Sequence, residues 1–264
     1  MNDGRSAHTH IALLKLDPQR QPEPCYVKFY PDRLAPDSDD VHRGLVNEIV
    51  GHVVGAELGA CVPDCAGLIV LPPSRLASRP QWVANSDDAP LVGWWSKDMA
   101  HPSLKAHYHI PDYPTAKELA ALKKAFEELA ASPEIHRAIA LDNLLANVDR
   151  NIGNLLRKAR GRYVLIDHGK CLTGDGWRVE NLDPAAEYRN VLDRIARQVS
   201  PTGELNSATL KEHDAMVERL DGALDTLWPW MLKAIEREEA EAVEEFIRQR
   251  GHPGRYAQRM GLLT

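Results

Sequence analysis

The apolar pattern of this chain changes period near residue 100, and that change bounds the fold. Before it, short apolar runs alternate with turn residues, and only one stretch has helical spacing. After it, apolar residues recur at helical spacing almost to the end, interrupted by one pair of short strands. Residues 11–16 and 25–30 read as strands joined by the polar turn DPQRQPEP. In the second strand Tyr26, Lys28 and Tyr30 share one face, and Val27 and Phe29 share the other. The Pro- and Asp-rich segment PDRLAPDSDD ends in Asp residues suited to cap a helix over residues 41–58. Leu45, Val46, Ile49, Val53 and Val54 form the apolar stripe of that helix, and Gly59 and Pro63 stop it.

Residues 67–71 form a further strand, residues 72–90 a loop, and residues 91–95 a last strand before a linker over 97–103. Thr115 and Glu118 make a capping box for a helix reaching about residue 131, and Ser132-Pro133 opens the next. The tail reads as helices over about 187–198, 207–220 and 228–249. The expected architecture is α+β in two lobes: residues 1–100, β-rich with one helix, and residues 101–264, mainly helical.

The segment DNLLANVDRNIGNLLRKARGRYVLIDHG carries the chemistry. Its first helix is expected to stop after Asn147, where Asp149 to Asn154 has turn-forming composition. Asn154 lies five positions after Asp149, a spacing used where an acid orients an attacking hydroxyl and an amide oxygen binds Mg²⁺. Residues 162–166 then form an apolar strand that ends on Asp167-His168-Gly169, delivering a second acid onto a turn. Lys28 stands mid-strand among apolar neighbours, where an ammonium needs a partner because desolvating it is costly. Glu48, beside the apolar stripe of the next helix, is the expected partner, with Glu57 as the more exposed rival. A strand lysine paired with a helix glutamate holds nucleotide phosphates in phosphoryl-transfer enzymes. Gly4 to Thr9 precedes the first strand where a phosphate-covering loop would lie, which makes Ser6 a candidate nucleotide contact.

Other residues read as structural. The four cysteines are too few and too scattered for a disulfide framework, and Cys61 and Cys65 are expected as buried, reduced thiols. The histidines show no metal-ligand spacing of the HExxH kind. Trp94, Trp95, Trp228 and Trp230 read as core anchors, and the acidic run at 236–245 as a solvated helix face. A net charge of −6 argues against a dedicated nucleic-acid binder. No apolar run reaches the roughly 20 residues of a membrane span, and MNDGRSAHTH lacks the features of a secretory signal. The expected location is the cytoplasm.

The blocks YVKFY through LVNEIVGHVVGAELGACVPDC, and DNLLANVDRNIGNLL through VLIDHG, resemble the HipA-like kinases and, more distantly, the phosphatidylinositol 3-kinase-like fold. The resemblance covers about a third of the chain. It implies a two-lobed protein-kinase-like fold, with ATP and Mg²⁺ as cofactors and a protein hydroxyl, of Ser or Thr, as acceptor. Carried over, Lys28 binds nucleotide phosphates, Glu48 orients Lys28, Asp149 is the catalytic acid residue, and Asn154 and Asp167 hold Mg²⁺. Asn151 stands where such loops often carry His, and His168 leans towards the lipid-kinase form of the turn. The chain leaves no room for the extra N-terminal subdomain of full-length HipA toxins, so it reads as a short, stand-alone member. A nucleotide-binding pseudokinase serving as a scaffold is the alternative. A Mg²⁺-dependent hydrolase is a third reading, which leaves the Lys28–Glu48 pair unexplained.

Overall fold

The computed structural model describes residues 7–84 and 88–260. Four antiparallel strands open the chain: β1 (His8–Leu14), β2 (Glu23–Phe29), β3 (Ala66–Leu71) and β4 (Leu91–Lys97), in spatial order β1-β2-β4-β3. Helix α1 (Gly44–Glu57) lies between β2 and β3 in sequence. Side chains alternate across a strand, so the register of Lys28 with Thr9 and Trp94 puts those three residues on one face. That face meets α1, where the Trp94 and His52 rings sit edge to face at 5.5 Å. The opposite face carries the buried Cys25, Val27 and Phe29. On that side His10 stacks on Phe29, and His8 meets Ser78 and Trp82 of the loop after β3.

The chain then passes through residues 98–103 into α2 (Leu104–His107), α3 (Leu119–Ala130) and α4 (Pro133–Leu144). A hairpin follows, β5 (Leu155–Ala159) and β6 (Arg162–Leu165), turning at Gly161 with φ +71°. The tail consists of α5 (Val191–Ala196), α6 (Thr202–Val217), α7 (Leu220–Met231), α8 (Arg237–Arg250) and α9 (Arg255–Arg259). One continuous apolar core runs through α4 to α8, and α1 packs against α7, so the helix of the first lobe rests on the second. No helix among the described residues is long and apolar enough to cross a membrane.

Several elements differ from their sequence patterns. Helix α1 begins at Gly44, not residue 41, because Val41 is taken by a bridge to Arg33. Its first turn has no Asp cap: Asp40 pairs with Arg178, and the Gly44 amide donates to His42 Nδ1 instead. The expected helix over 187–198 shrinks to α5, because the Asn190 side chain accepts from the Asp193 amide and fixes its start. The expected helix over 228–249 is two helices, since the Ala234 and Ile235 amides both close onto Met231 O. Helix α4 ends at Leu144 rather than Asn147, and Ala146 then takes φ +48°. Cys61 and Cys65 are free thiols but exposed, standing on the surface loop between α1 and β3.

Candidate active site

Strand β2 and helix α1 meet at an ion pair. Lys28 Nζ lies 2.5 Å from Glu48 Oε1 and 2.8 Å from Asp167 Oδ1. The Glu48 side chain is only 2% exposed, so each of its oxygens must find donors within the protein. Tyr30 OH donates to Oε1 at 3.0 Å, and the His168 amide donates to Oε2 at 3.1 Å. Burial alone would push the Lys28 ammonium towards neutrality. Asp167 and Glu48 outweigh it and hold its pKa raised, so the charge persists. The rival partner, Glu57, lies exposed at the end of α1, where its carbonyl accepts from Arg219.

The Asp149 loop is held by its own amides. Asn147 Oδ1 accepts from the Asp149 amide at 3.1 Å, and Asn151 Oδ1 accepts from the Gly153 amide at 2.8 Å. Residues Ile152–Asn154 make one 3-10 turn that leads into β5. The Asn154 amide nitrogen reaches back to Asp149 O at 3.1 Å, leaving its side-chain oxygen as the atom able to coordinate a cation. The Asp149 carboxyl has a raised pKa, from burial first and the nearby Asp167 charge second.

Strand β6 delivers Asp167 to the same place. Asp167 sits at φ +59°, a left-handed conformation that costs a non-glycine residue roughly 1–3 kcal/mol. Lys28 is the main reason its carboxyl is held below the usual range. Half of the side chain, 50%, remains exposed, so its second oxygen can meet a ligand. Helix α1 is bound directly to this turn by Asn47, whose amide donates to Gly169 O at 2.9 Å and Gly174 O at 2.7 Å. Its oxygen accepts from Trp177 Nε1 at 2.9 Å.

Lys28, Glu48, Asn154 and Asp167 therefore line one cavity of about 500 Å³ between the lobes. The segment after β4 forms another wall, with Asp98, Met99 and His101. Asp149 stands on the loop that supplies Asn154. Thr9 and Tyr26 of the sheet also face the cavity; Thr9, expected at the end of a loop before the first strand, lies within β1 instead. Its signal was the alternation of β1, but the register that sets it opposite Lys28 is a tertiary fact. Ser6 lies outside the described residues.

The donor set suits a small hard cation. Among the described residues no three His, Cys, Asp or Glu side chains cluster as a metal cage. Mg²⁺ does not require one, since it is usually held by one or two protein oxygens plus substrate phosphates and water. One carboxylate and one amide oxygen beside a fixed ammonium fit that pattern.

No family model matches the chain, and no curated protein matches it in sequence. Its fold is shared with the crystal structure of a Helicobacter pylori proinflammatory kinase, CtkA, at a TM-score of 0.56 and 16% identity. That match covers 97% of this chain and 92% of the other. A MAP kinase from Leishmania major, LmaMPK10, aligns over 99% of this chain and 80% of its own at 10% identity. Its TM-score of 0.35 carries no weight. The chain thus has a two-lobed, protein-kinase-like α+β fold, with an antiparallel sheet in the first lobe and helices in the second.

Proposed function

We propose that this protein is an ATP-dependent kinase of the HipA-like kind, acting on a hydroxyl of a protein Ser or Thr. The observation that carries this reading is Lys28 held between Glu48 and Asp167, which joins the sheet, α1 and the second lobe at one charge. A lysine so placed can meet phosphate oxygens of a nucleotide in the cavity, while Tyr26 and Met99 offer surface to its base. Asn154 and Asp167 are the proposed Mg²⁺ ligands; bound there, the cation would neutralise charge on the terminal phosphates.

Asp149 would accept a hydrogen bond from the acceptor hydroxyl and take its proton as the oxygen attacks the γ-phosphorus. The bond to the β-phosphate oxygen then breaks, leaving ADP and a phosphorylated acceptor. A raised carboxyl pKa makes Asp149 a better base than a free aspartate, while Lys28 and Asp167 stay fixed as counter-charges. The barrier falls by alignment and by charge placed in advance.

The test is incubation of the full chain with γ-labelled ATP and Mg²⁺, beside Asp149→Ala and Asp167→Ala. Label entering the protein or an added substrate with wild type, and lost in both variants, supports the kinase. Nucleotide binding without any transfer favours the pseudokinase scaffold. A wild type that binds no ATP overturns both.

A further inference from the structure

Arg150, the neighbour of Asp149, has a wholly buried guanidinium. On one side it grips Asp142 of α4: Nε lies 3.3 Å from both carboxylate oxygens, and one terminal nitrogen lies 3.2 Å from Oδ1. On the other side it takes hold of three consecutive residues of the turn after β6. One terminal nitrogen donates to Ile166 O and, at 3.4 Å, to Asp167 O. The second donates to His168 Nδ1 at 2.8 Å. The His168 ring, in turn, fills a notch in α1 at Gly51, where a Cβ would come within 2.3 Å of the His168 Cβ.

A buried ion pair is a poor device for stability alone, because apolar residues of similar size often replace one at no loss. The geometry suggests another use. Ile166 O and Asp167 O belong to the two peptide groups that flank the Asp167 Cα. Fixing both fixes the left-handed φ of Asp167, and with it the direction of its carboxylate. Because Arg150 also follows Asp149 directly, one guanidinium ties the backbone of both acids together.

We propose that Arg150 is a positioning residue, which sets the carboxylates of Asp149 and Asp167 relative to each other through the Ile166 and Asp167 carbonyls. This rests on the kinase reading. Asp142 keeps the guanidinium charged and in place, and lysine cannot substitute, because an ammonium lacks the planar fork that spans carboxylate, carbonyls and imidazole.

Three variants and one spectrum test it. In Arg150→Met/Asp142→Leu both charges are removed together, so the double variant should melt above Arg150→Met alone, which leaves Asp142 buried and unpaired. Turnover of the double variant should still drop roughly 100-fold, and the Mg²⁺ needed for half-maximal activity should rise about 10- to 100-fold. Arg150→Lys should fold and lose turnover to a similar extent. Turnover within about threefold of wild type, roughly 0.7 kcal/mol, in the double variant or in Arg150→Lys overturns the proposal. A merely structural Arg150 would let activity follow stability. Nitrogen-15 spectra of wild-type His168 test the contact without any turnover: Nδ1 should be the unprotonated nitrogen. A proton on Nδ1 overturns the proposal. Absence of phosphoryl transfer by wild type would instead refute the kinase reading.

Discussion

Replacing Glu48 by Gln tests the ion pair that joins the lobes. The change keeps shape but turns one acceptor oxygen into a donor. In the native site Oε1 accepts from Lys28 and Tyr30, and Oε2 accepts from the His168 amide. A glutamine can serve only one of these sets. With its oxygen towards Lys28 and Tyr30, its NH₂ group faces the buried His168 N–H. That orphaned donor costs about 1–3 kcal/mol, and the lost charge on the Lys28 bond about 1.5–3 more. Asp167 remains at 2.8 Å and compensates part of the second cost. We expect a net loss of about 3 kcal/mol, which for a chain of this size lowers the melting temperature by roughly 6–12 °C.

Lys28 should then close onto Asp167, so both become less available to a nucleotide. A thermal melt and a titration with fluorescent ATP should therefore change together, with affinity about tenfold weaker, equivalent to 1.4 kcal/mol. A double-mutant cycle with Lys28→Met should show a coupling of at least about 1 kcal/mol, as residues in contact do. Unchanged melting together with additive effects would refute the pairing.

Two further outcomes follow from other buried groups. Asn47→Leu strands the Gly169 and Gly174 carbonyls and the Trp177 indole N–H, so urea unfolding should show a loss of roughly 3–6 kcal/mol; a loss under about 0.5 kcal/mol, typical of a surface change, would contradict the assignment. Glu128 concerns pH: burial favours its neutral form, but Arg157, Tyr108, the Gly161 amide and Tyr163 prevail and pull its pKa down to about 2. A depressed carboxyl pKa contributes stability above its unfolded value of 4.5 that is lost as pH falls towards 2. The contribution is about 3 kcal/mol, and Glu128→Gln should lack it at neutral pH and flatten the acid slope over that window. An identical slope in the variant would count against it.

Much of this was legible in the sequence because the informative residues break local rules. Lys28 in an apolar strand requires a counter-charge, and Glu48 beside an apolar stripe supplies one. Asp149 to Asn154 could be placed by turn composition, and the strand ending on Asp167 by its short apolar run. The helix of the first lobe was visible in its apolar stripe, but its start was not. The tertiary pairs Arg33–Val41 and Asp40–Arg178 decide that boundary. The same holds for Arg150 and Asn47. Nothing in a local pattern shows that a guanidinium will meet carbonyls beyond a hairpin, or that an asparagine will bind a turn 122 positions away. The break between α7 and α8 was hidden because no Gly or Pro marks the residues between them, Leu232 to Glu236.

In the proposed function, one site assembled from both lobes holds a metal nucleotide for phosphoryl transfer. The most direct test is a crystal structure with Mn²⁺ and a non-hydrolysable ATP analogue, read by anomalous scattering. One anomalous peak is expected, bonded to oxygens of Asp167 and Asn154 and to the terminal phosphates, with Lys28 on a phosphate oxygen. A nucleotide bound elsewhere, or a metal bound away from both Asp167 and Asn154, would contradict it.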